Sequence, residues 1–223
     1  MRSGFTIIEL LVVASIITMG LFFTLQLRNR VLMDQTVNLF IADIRNVQFK
    51  ALSSARYNGS IRCGYGIHDN YNDYNSYFIY TSGDVSALSP SGDCNTNEDR
   101  RYCRDAAPPV EQAELDEKLA PDVRKLFDSR LEFKGGINNS NFGPIFFEPP
   151  NPTTFLCIRR GDWGCPTGAG QVCDISRTDF TLPPTAITIG NINSGHNCAG
   201  VTCKSICVYT SGKIEVVNGA ICP

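Results

Sequence analysis

Ten cysteines and two histidines carry most of the potential chemistry in this 223-residue chain. The cysteines stand at 63, 94, 103, 157, 165, 173, 198, 203, 207 and 222, all beyond Tyr57; the histidines are His68 and His196. An even, dense set of thiols that follows an apolar N-terminal segment points to an oxidising compartment and to disulfides. The competing chemistry is zinc binding by His196, Cys198, Cys203 and Cys207, but this set lacks a clean pair of CxxC motifs. Ten cysteines allow about 945 complete pairings, so spacing cannot choose among them. Cys94–Cys103 and Cys165–Cys173 are local candidates, and Cys222 is placed to tether the C-terminus.

Catalytic constellations are sparse. His68 beside Asp69 could pair with a serine, yet no nucleophile elbow, phosphate-binding loop, dinucleotide fingerprint or HExxH motif accompanies them. The run from Asp69 through Asn70, Tyr71, Asn72, Asp73 and Tyr74 to Asn75 concentrates oxygen ligands. It lacks the glycine and distal glutamate of a calcium-binding EF-hand loop, and reads as a solvated hairpin loop. Arg100, Arg101 and Arg104 form the one basic cluster, flanked by Glu98, Asp99 and Asp105 so that the charges largely cancel. The expectation is a non-enzymatic protein with no catalytic, cofactor-binding or metal-binding residues.

The elements that carry these residues divide at Tyr57. Up to that point the chain holds 6 of its 20 Lys and Arg but only 3 of its 22 Asp and Glu; the remaining 166 residues have a net charge of −5. That balance disfavours nucleic acid as a partner, because phosphate contacts need local Lys and Arg. Phe5–Leu25 is apolar apart from Glu9 and long enough to cross a hydrocarbon core about 30 Å thick as a helix. A carboxylate inside such a span is costly and usually marks function. Arg2 on one side is matched by Arg28 and Arg30 on the other, so orientation rests on the cysteines, which place the C-terminal part outside. Met33, Val37, Phe40, Ile41, Ile44, Val47, Ala51, Leu52 and Ala55 then recur at steps of three and four. This predicts one helix over 5–57, with an apolar stripe on its second half and a stop at Asn58-Gly59. No proline precedes Pro90, which leaves Gly20 as the weak point of the span.

Short strands are predicted at Arg62–His68, Ser76–Thr81, Arg130–Lys134, Ile145–Glu148, Thr154–Ile158, Ala186–Gly190, Ser205–Tyr209 and Lys213–Val217, the last two joined as a hairpin. Glu111–Leu119 has helical composition, with Pro121 able to end it. Segments 82–110 and 159–184 read as long loops pinned by disulfides. The expected fold class is α+β.

Gly4-Phe5-Thr6-Ile7-Ile8-Glu9-Leu10-Leu11 resembles the type III signal of bacterial type IV prepilins and type II secretion pseudopilins. The resemblance implies cleavage by a prepilin peptidase between Gly4 and Phe5, N-methylation of Phe5, and retention of the apolar helix. It implies that Glu9 pairs with the amino-terminal charge of a neighbouring subunit. The segments Asp43–Ala51, Gly64–Ile67, Phe146–Pro150, Ser205–Tyr209 and Gly212–Val216 are similar to H-type minor pseudopilins and FimT-like minor pilins. There the C-terminal half of the long helix packs on a β-sandwich, so residues 1–4 would be the leader, 5–25 the span, 26–57 the amphipathic helix and 58–223 the extracytoplasmic domain. The implied function is a structural subunit, a minor pilin or pseudopilin. It would sit in the inner membrane with its domain outside, then enter a periplasmic or extracellular filament. Its partners would be the peptidase, other pilin subunits, an inner-membrane assembly platform and membrane lipid. The alternative is a filament-tip adhesin or DNA-uptake subunit on the same stem.

Overall fold

The computed structural model describes residues 6–53, 56–57, 59–70, 73–81, 117–119, 121, 123–134, 142, 145–149, 153–156, 184–194, 202–219 and 222. One helix, α1 (Ile7–Leu52), runs unbroken for 46 residues, about 70 Å at ~1.5 Å per residue. Thr6 caps its start, and Ser53 closes its end by donating its N–H to the Phe49 carbonyl at 3.0 Å. The helix thus stops short of the expected Tyr57. Arg56–Tyr57 (β1) and Ser60–Ile61 (β2) pair as a minimal hairpin instead, with Tyr57 opposite Ser60. Gly59, just before β2, has φ +83°, a conformation that favours glycine. The helix ends before the expected stop, and Asn58 itself lies outside the described residues.

The remaining strands are β3 (Tyr65–Asp69), β4 (Ser76–Thr81), β5 (Glu117–Lys118), β6 (Arg124–Lys125), β7 (Leu131–Lys134), β8 (Ile145–Glu148), β9 (Thr153–Leu156), β10 (Thr185–Asn191), β11 (Cys203–Val208) and β12 (Ile214–Asn218). All eight predicted strands are present within a few residues of their expected bounds. The helix expected at Glu111–Leu119 is corrected where it is described: Glu117–Lys118 pairs with Thr81 and Tyr80 as a short strand, because the neighbouring sheet edge supplies hydrogen bonds an isolated turn would lack. Residues 111–116, segment 82–110 and all but Pro184 of segment 159–184 lie outside the described residues.

Two antiparallel sheets result. One is ordered β5-β4-β3-β8-β9, with β6 also pairing β4; the other is β12-β11-β10-β7. Together with α1 the architecture is α+β. The predicted C-terminal hairpin is β11–β12, with Val208 opposite Ile214, Gly212 at φ +80° and its N–H on the Tyr209 carbonyl at 2.9 Å.

A single apolar core joins the second half of α1 to both sheets. It contains Val37, Phe40, Ile44 and Val47 from the helix, Ile67, Ile79 and Phe147 from one sheet, and Phe133, Ile189 and Ile206 from the other. Phe40 is the pivot: its ring meets Tyr77 edge-on at 4.9 Å and Phe133 at 5.2 Å, contacting both sheets from one helical position. The far face of the β4–β3–β8 sheet is buried too. There Tyr80 lies over Gly66, where an added Cβ would come within 2.3 Å of the ring, and Phe146 stacks beyond it. Both faces being covered explains why β4, Ser76–Thr81, is buried at every residue.

Candidate functional site: the exposed stem

The first half of α1 is apolar on all sides and touches none of the core. Ile7 is 82% exposed, and Leu10, Ile16, Met19, Phe22 and Leu27 are exposed with it. The segment is long and apolar enough to cross a membrane. The hydroxyls of Ser15, Thr18 and Thr24 are turned back onto the helix. Ser15 Oγ donates to the Val12 carbonyl at 2.8 Å, Thr18 Oγ1 lies 2.9 Å from that of Ser15, and Thr24 Oγ1 donates to that of Leu21 at 2.8 Å. Each hydroxyl finds its partner one turn back, so none needs water. Gly20 introduces no break in the helix, and nothing lies within 4 Å of where its side chain would stand.

Glu9 sits in the first turn. One carboxylate oxygen, Oε2, accepts from the Thr6 backbone N–H at 2.9 Å and from Thr6 Oγ1 at 3.0 Å, while Glu9 N–H donates to Thr6 Oγ1 at 3.3 Å. This is a reciprocal capping box. The Thr-x-x-Glu spacing at Thr6 and Glu9 is the signature of that motif in the sequence itself. Gly4 and Phe5 lie outside the described residues.

The second half of the helix fixes the stem to the domain. Met33, Val37, Phe40, Ile41, Ile44, Val47 and Ala51 are buried as the stripe predicted; Leu52 is exposed, and Ala55 is not among the described residues. Polar contacts reinforce the seam. Tyr77 Oη donates to Asp43 Oδ2 at 2.6 Å, and Arg124 Nη1 lies 3.3 Å from the same carboxylate. Burial, and then the Asp43 carboxylate that accepts its hydrogen bond, pushes the Tyr77 phenol well above its ordinary value. Gln48 Nε2 donates to the Gly212 carbonyl at 2.8 Å, tying the helix to the β11–β12 turn. These polar links join residues 34 to 164 positions apart, and nothing in local sequence announces them.

The cysteine chemistry resolves in part. Cys207 is bonded to Cys222, an S–S distance of 2.01 Å, which is the expected tether of the C-terminus. Cys63 and Cys203 are also disulfide-bonded, and no described cysteine is free. The zinc alternative is therefore overturned: two of its four ligands, Cys203 and Cys207, have no thiolate to offer. His196, Cys198 and the candidate pairs Cys94–Cys103 and Cys165–Cys173 lie outside the described residues, as do Arg100, Arg101 and Arg104.

His68 Nδ1 lies 2.8 Å from Asp69 Oδ1, and its ring stacks on Phe78 at 5.3 Å. The reversal between β3 and β4 is held by its own groups: Asp73 N–H donates to the Asn70 carbonyl at 2.8 Å and Ser76 N–H to that of Asp73 at 2.9 Å. No group of three or more potential metal ligands is found among the described residues.

Comparisons with protein-family models, curated proteins and solved structures give no match to this chain.

Proposed function

We propose that this chain is a structural subunit of a membrane-derived filament, a minor pilin or pseudopilin of a type IV pilus or type II secretion system. In this reading the exposed half of α1 is held in the inner membrane until prepilin peptidase cuts after Gly4, and then packs with the stems of other subunits. The single observation that carries the reading is the division of one continuous helix into an all-round apolar, solvent-exposed half and a half whose apolar stripe is used up by the domain. An exposed apolar surface of that extent requires a partner, lipid or protein. The shared core of α1 and both sheets supports a sandwich-like domain built around the stem, and the disulfides support an extracytoplasmic location.

Glu9 has a defined part in this scheme. In a packed stem a carboxylate stays buried only if a positive group meets it, and the amino terminus freed at Phe5 would be such a group on a neighbour. The capping box engages only one of its two oxygens. The test is Glu9→Val in the producing cell. Membrane insertion, leader removal and domain folding are expected to persist, while recovery in sheared filaments, normalised to membrane level, falls sharply. Unchanged recovery would show that no pairing at Glu9 is needed. Gly4→Leu, followed by intact mass, tests the processing step: the four-residue leader should remain attached.

A further inference from the structure

Just past the apolar half of α1, the helix and the β10–β11 sheet enclose an open groove of about 520 Å³. Its walls carry Arg30 and Asp34 from the helix, Asp128 and Arg130 from the turn before β7, and Lys204 from β11. Arg130 Nη2 donates to Asp128 Oδ2 at 2.6 Å, and Lys204 forms an ion pair with Asp34. Arg30 is exposed and has no ion-pair partner among the described residues. Three cations of the walls therefore face two carboxylates, a local surplus of one positive charge.

The height of the groove matters as much as its charge. Arg130 Nη1 reaches Asn29 Oδ1 at 3.4 Å, so this turn of the domain stands level with residue 29. Residue 29 is four positions beyond the end of the apolar run at Leu25, about 6 Å along a helix that rises ~1.5 Å per residue. The headgroup zone of a bilayer extends roughly 5–7 Å beyond the hydrocarbon on each side. If the span is seated in the bilayer, the groove opens at the depth of the lipid phosphates.

We infer that this groove binds the phosphodiester headgroup of an anionic phospholipid, with Arg30 as the principal cation and the Asp128-held Arg130 beside it, and that it thereby seats the domain on the membrane before assembly. The inference rests on the membrane-resident state of the proposed function. Arg30 supplies an unpaired charge, and the Arg130 guanidinium, whose Nε and Nη2 are held by the Asp128 carboxylate, stands beside it as a fixed positive group. Phosphatidylglycerol is the simplest ligand of this class. A soluble phosphate ester would share the chemistry but not the depth.

The experiment uses the full chain in nanodiscs of phosphatidylcholine with increasing phosphatidylglycerol, reading hydrogen exchange of the backbone at 28–34 and 126–131. Exchange should slow as the anionic fraction rises, and the slowing should fade at high salt. Arg30→Gln, a change on an exposed helical position, should raise the phosphatidylglycerol fraction needed by about fivefold, the effect of one cation near an anionic surface. Arg130→Gln should act in the same direction. Equal exchange in neutral and anionic discs, or an unaltered response in both variants, would overturn the inference. So would the same slowing by inorganic phosphate added to the chain in neutral detergent, which would mark a soluble-anion site. Failure of the chain to remain with the discs at all is a distinct result, and it would count against the membrane-resident state itself.

Discussion

The two halves of α1 are made of the same kind of residue and meet opposite fates. Ile16 and Phe22 in the first half are exposed, while Phe40 and Ile44 in the second are almost wholly buried. The difference is arrangement, not composition alone. In the first half apolar side chains occupy every face, so no single contact could cover them. In the second they return every three or four residues, and Asp34, Asp43, Arg45 and Lys50 fill the gaps. One helix thus carries a surface for other molecules and a surface for its own domain, and the register changes near Met33, the first residue of the buried stripe.

The comparison breaks most visibly by truncating the two halves in turn. Phe40→Ala should destabilise the domain by about 3–5 kcal/mol, since it removes a ring shared by both sheets and leaves a cavity. Phe22→Ala removes a similar ring from the exposed half and should leave domain stability within about 0.5 kcal/mol. Thermal or denaturant unfolding of the full chain in mild detergent measures both. Equal losses would mean that the halves are not independent.

A second test removes a constraint that lies wholly in the domain. Replacing Cys207 and Cys222 together by serine opens a loop of sequence separation 15 and should cost about 3 kcal/mol. Insertion of the stem, followed by membrane fractionation, should not respond. A smaller effect is expected at the seam. Tyr77→Phe removes the hydroxyl that donates to Asp43 while Arg124 still faces the carboxylate, so a loss of about 1 kcal/mol is expected.

The smallest effect concerns pH at the junction of the halves. The hydrogen bonds from Arg130 hold the Asp128 carboxyl below its ordinary value. A group depressed on folding stabilises the fold above its unfolded pKa, near 4, and that contribution is lost as pH falls through the folded value. Asp128→Asn should therefore flatten the acid limb of the stability profile slightly and change nothing at neutral pH beyond the loss of its ion pair with Arg130. A variant that altered stability chiefly between pH 6 and 8 would point to another group.

Much of the architecture was legible in local pattern. The helix, its change of face, the eight strands and the 208–214 hairpin all follow from periods of 3.6 and 2 and from turn residues, which act over a few neighbours. The candidate stem was legible for the same reason, since a span is a contiguous property of the chain. Where local pattern misled, a distant partner had intervened. Glu117–Lys118 has helical composition but meets the edge of β4, and the helix expected to reach Tyr57 gives way to a strand at Arg56–Tyr57, which pairs with Ser60–Ile61.

Sequence alone determined that this chain has an apolar stem, an amphipathic continuation and a cysteine-rich β domain, because hydrophobic periodicity is written residue by residue. Only the tertiary structure decided that β3 lies between β4 and β8, that β10 lies between β7 and β11, that Cys207 bonds Cys222, and that Asp43 meets both Tyr77 and Arg124. Those pairings depend on which segments the shared core brings within a few ångströms. That closeness is a property of the packed whole, since each strand and each cysteine has several partners of equal local merit.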